Sequence, residues 1–400
     1  MSSEKGGRRW NAVLVLVGLA ALFFWIGRNP DPAPEGEMSP LAAPVVIPAP
    51  RVPEPATEGL PDQTAKLMEP LLPPPVLQKP LLEFSLPTDN QSIFGSQPEK
   101  FFMFVDRYTP EGQVQVWEGG SYGFVRNPRQ TAQGTVFTKF HEGIDIAPAV
   151  RDAKGEPQDE VRAIADGVVA YVTSSPRTSN YGNYVVVLHQ VGTTGVYYSL
   201  YAHLKSISAV AGQTVERGHP LGMLGYTGSG IDRRRAHVHL ELGLVISERF
   251  EEFNAKSKGL ANPHGNYHGS NLIGLNGSAF LAANRADPLL MPDQFLGKQE
   301  VYYKVLVPNR GQELELVQRY PWLRQKGPAA ASWEISFTGP GVPVSIGPSA
   351  QTATFATVSW VKPFGGYHSW NTRSMLGGSG NTATLTIEGN RMLALMGGDF

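Results

Sequence analysis

Two histidines stand two residues apart in "RAHVHLEL", Arg235 to Leu242. Side chains at i and i+2 of a strand project to one face. His237, His239 and then Glu241 therefore address one spot, while Val238, Leu240 and Leu242 pack behind. Paired imidazoles suit metal ligation or proton transfer, because imidazole is both a common metal ligand and the side chain that titrates nearest neutral pH. Taken alone, the pattern also fits a solvated sheet face, so the chemistry needs partners. One lies upstream in "FHEGIDIAP", where His141 and Asp145 stand at i and i+4. Gly143 between them lets a loop entering a strand turn so that imidazole and carboxylate converge on one ion. His203 follows the aromatic strand end of "YYSLYAHL", a place where a lone histidine is more often structural. With no cysteine in the chain, any metal must be held by His, Asp, Glu or water.

The elements that must carry these residues read as strands. "VVAYV", "NYVVVLHQ", "GVYYSLYAHL" and "HVHLEL" are rich in β-branched and aromatic residues and are separated by turns such as "ADG" and "GTTG". No long amphipathic helical pattern competes with them, so residues 81–298 read as a mainly antiparallel β domain. An insertion around 246–286 interrupts it, with a short helix first and a glycine- and asparagine-rich loop after. The loop contains "HGNYH", where His264 and His268 repeat the i, i+4 spacing; a glycine between them argues against a second fixed metal site. Residues 299–400, with "VYYKVLV", "ASWEISF", "TFATVSWV", "ATLTIEG" and "RMLALMG", read as a separate small β-sandwich or barrel-like domain.

Four hundred residues imply two or three domains, and a net charge of -1 gives no electrostatic case for nucleic acid. Lys5, Arg8 and Arg9 precede the apolar run Trp10 to Ile26, which ends in bulky residues with no small-x-small cleavage site. An uncleaved single-pass anchor in the cytoplasmic membrane is expected over residues 1–28. Its basic flank would sit in the cytoplasm and the bulk of the chain in the periplasm or cell-wall space. Residues 29–80 are proline-rich and read as an extended spacer.

His-x-Gly-x-Asp, then strands, then Tyr-Ala-His-Leu, then His-x-His, all within about 100 residues, resembles the lysostaphin-type (LytM-like) zinc endopeptidases of the bacterial cell wall. "SYGFVRNPRQTAQGTVFTKFHEGIDI", "VRAIADGVVAYV", "NYGNYVVVLH" and "GQTVERGHPLGMLGYTGSG" extend the likeness over roughly residues 115 to 245. The resemblance implies that His141, Asp145 and His239 bind Zn²⁺, with a fourth position kept for water. It also implies that His203 and His237 stand beside that position and exchange protons with the water and the leaving amine. Glu241 could orient a ligand through a hydrogen bond or be a solvated strand residue, and it stays outside the candidate set. Asn183 in "YGN" reads as a turn residue bordering the cleft. The sequence departs from the family before His-x-His, where Ile231 to Arg235 form a basic loop that could meet acidic stem peptides or glycan, with a solvated charge run the safer reading.

The function expected from this reading is hydrolysis of peptide cross-links in peptidoglycan during wall remodelling or cell separation. The expected partners are peptidoglycan, the membrane through the N-terminal helix, and cell-wall or division proteins through the C-terminal domain. A noncatalytic wall-binding or amidase-activating protein of the same fold is the alternative. A secreted weapon against competing bacteria is a third reading, against which the uncleaved anchor speaks.

Overall fold

The valine- and tyrosine-rich runs 184–191 and 195–202 pair as antiparallel neighbours and set the frame for the rest. The computed structural model describes residues 79–400 apart from 133, 259–261 and 399; the expected anchor and nearly all of the proline-rich spacer lie outside these residues. Among the described residues no helix is long and apolar enough to cross a membrane.

A seven-stranded antiparallel sheet runs in the order Thr214–Val215, Gly167–Thr173, Tyr184–Val191, Gly195–Ala202, Val238–Val245, Leu272–Gly274. Ile144–Ile146 joins it beside the first half of Val238–Val245. Alternation divides its two faces. Val185, Val187, Tyr197, Tyr201, Leu240 and Leu242 enter the main hydrophobic core. Tyr184, Val186, Tyr198 and Leu200 face the other way into a smaller aromatic cluster, closed by Tyr267 and Leu272 of the insertion. The short helix expected at the start of that insertion forms at Phe250–Lys258, and a second helix, Gly277–Ala286, is capped by the Asn276 side chain.

The C-terminal block holds a four-stranded antiparallel sheet in the order Pro343–Ser349, Ser332–Phe337, Tyr303–Pro308, Thr357–Val361. It also holds a three-stranded sheet, Phe364–Tyr367, Leu376–Gly380, Thr382–Leu385. The described residues are thus mainly β. One expectation here is corrected: "RMLALMG" is not a strand but part of the helix Ile387–Gly397. Thr386 accepts a hydrogen bond from the Gly389 amide at the N-terminus, and Gly398 takes the left-handed conformation that closes the C-terminus. Leu393 and Met396, three apart, then fall on one buried face. Tyr320 ties this block to the central sheet, its hydroxyl donating to the Val196 carbonyl at 2.9 Å and accepting from the Val245 amide at 2.9 Å.

Candidate metal centre

Strand pairing brings the sequence motifs together. The hairpin Gly123–Thr131 and Gly134–His141 delivers His141 at its last residue. Antiparallel pairing places His239 directly opposite Asp145 on one side and Ala202 on the other, and the next residue along is His203. His203 adopts φ 65°, the left-handed region that non-glycine residues seldom enter, so its backbone is strained where its side chain is needed. Gly143 answers a steric demand: a Cβ there would lie 2.4 Å from the Leu240 carbonyl oxygen and 2.9 Å from His239 Nε2.

All three donors expected to hold zinc are buried. Asp145 Oδ1 lies 3.0 Å from His141 Nε2 and 2.9 Å from His239 Nδ1, and the two nitrogens are 3.1 Å apart. Ligands held about 2.0 to 2.2 Å from a tetrahedral ion would be separated by about 3.3 to 3.6 Å, only slightly more than this triangle. His237 Nε2 stands 3.3 Å from the same carboxylate oxygen, and the His203 ring is 4.8 Å from that of His237. Among the described residues this is the one grouping of His, Asp and Glu whose donors could share an ion.

Partners behind the rings decide which nitrogens carry protons, because a carbonyl oxygen can only accept. Nδ1 of His141 donates to Ser121, that of His237 to Arg235 and that of His203 to Thr227. On His239 it is Nε2 that faces a carboxylate, Glu241, at 3.1 Å. His141 Nε2, His237 Nε2 and His239 Nδ1 converge on Asp145 Oδ1 at 3.0, 3.3 and 2.9 Å. Three imidazole nitrogens crowd one buried carboxylate oxygen, a constellation suited to a metal cation.

The electrostatics agree. Burial pushes the imidazoles of His141 and His203 below their ordinary range. Burial would do the same to His239, but its hydrogen bonds to Asp145 and Glu241 lift it to about 9. Burial also opposes ionisation of Asp145, yet the neighbouring His141 and His237 hold its carboxyl well below the usual carboxylate range. A field that retains an extra proton on His239 would bind a divalent cation in exchange for that proton. The donor set, two imidazoles and a carboxylate with no sulfur, fits zinc with an open position.

Glu241 is the residue whose role the sequence left open, and it is not solvated. It is 1% exposed and accepts from the hydroxyls of Tyr181 at 2.6 Å and Tyr198 at 2.7 Å. These bonds and that from His239 hold its carboxyl at about 2 against the opposing effect of burial. Arg126 was not singled out from the sequence. Its Nη2 donates to Asp145 Oδ2 at 2.8 Å while Nε donates to the Gly119 carbonyl. Asn183 does brace the turn: its Nδ2 donates to the Leu204 carbonyl, and Thr227 Oγ1 does the same from the other side.

His264 and His268 make no metal cluster. They stack with ring centroids 4.5 Å apart, and His264 Nδ1 lies within hydrogen-bond distance of the hydroxyls of Tyr171 and Tyr184, 3.1 and 2.8 Å away. The basic loop is solvent-exposed at Arg233 and Arg234, as a solvated charge run would be, and it is also paired. Arg234 pairs with Asp106 and lies over the Phe104 ring, and the carbonyls of Arg233 and Arg234 accept from Arg151.

A buried His–Asp–His triangle on antiparallel strands, flanked by two further imidazoles, defines a candidate mononuclear metal centre of the hydrolytic class. Residues 139–248 match the sequence profile of Peptidase family M23. Over 123 residues it is 35% identical to the peptidoglycan DD-endopeptidase ShyA of Vibrio cholerae, spanning 31% of this chain and 24% of that protein. Over 103 residues it is 36% identical to the DD-carboxypeptidase/endopeptidase Mpg of Neisseria meningitidis, spanning 26% and 20%. The catalytic domain of the prophage-encoded M23 protein EnpA from Enterococcus faecalis is similar at 25% identity, over 35% of this chain and 80% of that one, with a TM-score of 0.22. The chain thus covers between a fifth and a quarter of the length of these two curated relatives.

Proposed function

We propose that this protein is a zinc endopeptidase that hydrolyses peptide cross-links of peptidoglycan, anchored in the cytoplasmic membrane by its N-terminal segment and working outside the cytoplasm. The observation that carries the reading is the convergence of His141 Nε2 and His239 Nδ1 on Asp145 Oδ1, three buried donor atoms within 3.1 Å of one another. The names of the two curated relatives support a wall peptide as the substrate class.

His141, Asp145 and His239 would hold the metal. Zinc, when bound, supplies a Lewis acid that lowers the pKa of its water and polarises the scissile carbonyl. The chain's own residues do the rest. Arg126 fixes one oxygen of Asp145 and so aims the other at the site. Glu241 fixes the tautomer and ring angle of His239, as partners behind metal ligands generally do. His237 and His203 each point a bare Nε2 into the site, because Nδ1 is engaged by a backbone carbonyl. Burial keeps His203 neutral, so its free nitrogen is available for proton exchange between water and the leaving amine.

The test is digestion of purified wall sacculi by the full chain, with and without zinc, beside His239→Ala. Zinc-dependent loss of cross-linked muropeptides, absent in the variant, is the expected result. Zinc binding with no cleavage by the parent would favour the noncatalytic wall-binding reading.

A further inference from the structure

The loop that carries the metal-site residues is held from two sides, and the second side comes from the C-terminal block. On the inner side space is exhausted. A Cβ at Gly274 would meet the Glu142 carbonyl oxygen at 2.3 Å, as one at Gly143 would meet the next strand. On the outer side stands Arg373, 231 residues away in sequence, whose Nη2 donates to Glu142 Oε1 at 3.4 Å. Its guanidinium lies 5.1 Å from the centroid of the Phe140 ring. Phe140 and Glu142 flank His141.

A part-exposed ion pair of this length contributes little by itself. What sets this one apart is how it is presented. Arg373 and Ser374 adopt φ 51° and 61°, two consecutive left-handed residues that are not glycine. Such a turn costs free energy and persists only where its surroundings impose it. Here Thr372, fully buried, donates to the His368 carbonyl and accepts from the Leu376 amide, while Thr386 Oγ1 donates to the Ser374 carbonyl. The turn is fixed within its own block and aims one cation at the loop beside His141. The side chain of Arg373 is 16% exposed, so it is seated rather than trailing in solvent.

We propose that Arg373 is a positioning residue for the His141–Asp145 loop, through which the C-terminal block sets the geometry of the metal centre. The inference rests on the metal reading of that site given above. Loss of the contact lets the loop open without unfolding either part.

The decisive variant in the full chain is Arg373→Gly. It removes the guanidinium, while glycine adopts a left-handed φ without penalty and so preserves the turn. The expected result is an unchanged or higher melting temperature, faster hydrogen exchange of amides 140–146 in the metal-free chain, and zinc affinity lowered about tenfold. Glu142→Gln should shift both readouts in the same direction, and the double variant should be no worse than the more severe single one. Exchange and zinc affinity both unchanged in Arg373→Gly would overturn the proposal. If the parent binds no zinc, the metal reading fails, and the exchange measurement alone still decides whether Arg373 positions the loop.

Discussion

His239 and Asp145 face each other across two antiparallel strands, Nδ1 to Oδ1 at 2.9 Å, and each is fixed from behind by a residue of opposite tendency. Glu241 accepts from His239, and Arg126 donates to Asp145. The carboxylate behind the imidazole strengthens it as a donor to a metal. The guanidinium behind the carboxylate spends one of its oxygens and leaves the other for the site.

Glu241→Gln tests the first of these supports. The amide keeps the size but removes the charge, and one of the two tyrosine hydroxyls can no longer donate to an oxygen. Zinc affinity is expected to fall roughly 10- to 100-fold. Tyr181→Phe and Tyr198→Phe should each do less, because either hydroxyl alone still satisfies part of the carboxylate. Competition against a chromogenic chelator measures all three, and affinity unaltered in Glu241→Gln would remove it from the metal centre.

His203→Gln and His237→Gln separate binding from proton transfer. Neither ring is among the three donors of the triangle, so zinc stoichiometry should stay at the parent's value while kcat falls roughly a hundred- to ten-thousandfold. Loss of bound zinc in either variant would reassign that histidine to the metal. Single-turnover cleavage of a cross-linked muropeptide, with zinc content measured on the same sample, distinguishes the two outcomes.

How far the sequence foretold this site depends on whether the contact is local to a strand. His237, His239 and Glu241 share a face because the period of a strand is two, and Val238, Leu240 and Leu242 are accordingly in the core. Arg126 could not be found that way. The register shifts between Phe124 and Arg126 and Asn127 takes φ 56°, so a bulge and not the alternation aims the guanidinium at Asp145. The alternation does not settle Glu241, because its two tyrosine partners lie 60 and 43 residues earlier in the chain, one in the turn before Tyr184–Val191 and one on the neighbouring strand Gly195–Ala202. In the C-terminal block the apolar residues of "RMLALMG" fit a strand as well as a helix. The caps at Thr386 and Gly398, which decide for the helix, lie outside that run.

Gly143→Ala is expected to damage the centre through sterics alone. Its methyl would have to displace the Leu240 carbonyl or His239 Nε2, neither of which can move without breaking strand pairing or the bond to Glu241. Overpacking of this kind typically costs about 1 to 3 kcal/mol. Zinc affinity should fall together with the melting temperature, and zinc should restore little of either. An alanine variant with the parent's melting temperature would show that the loop has room the structure does not display.

His189 supplies a pH dependence that does not involve the site. It is fully buried on the core side of the sheet, its Nδ1 donating to the Asp166 carbonyl and its Nε2 accepting from Ser199 Oγ at 2.7 Å. Burial lowers its pKa to about 4, from about 6.5 in an unfolded chain. Between those values the unfolded state binds the extra proton and the native state does not, so stability rises with pH there. The contribution is fully present above pH 6.5 and is lost as the pH falls towards 4, on the order of 3 kcal/mol over the window. His189→Gln, which keeps a donor and an acceptor but cannot titrate, should be less stable than the parent at pH 7.5. Its urea midpoint should nevertheless decline less steeply between pH 6.5 and 4. Equal slopes for the two proteins would mean that His189 is protonated in the native state as readily as in the unfolded one.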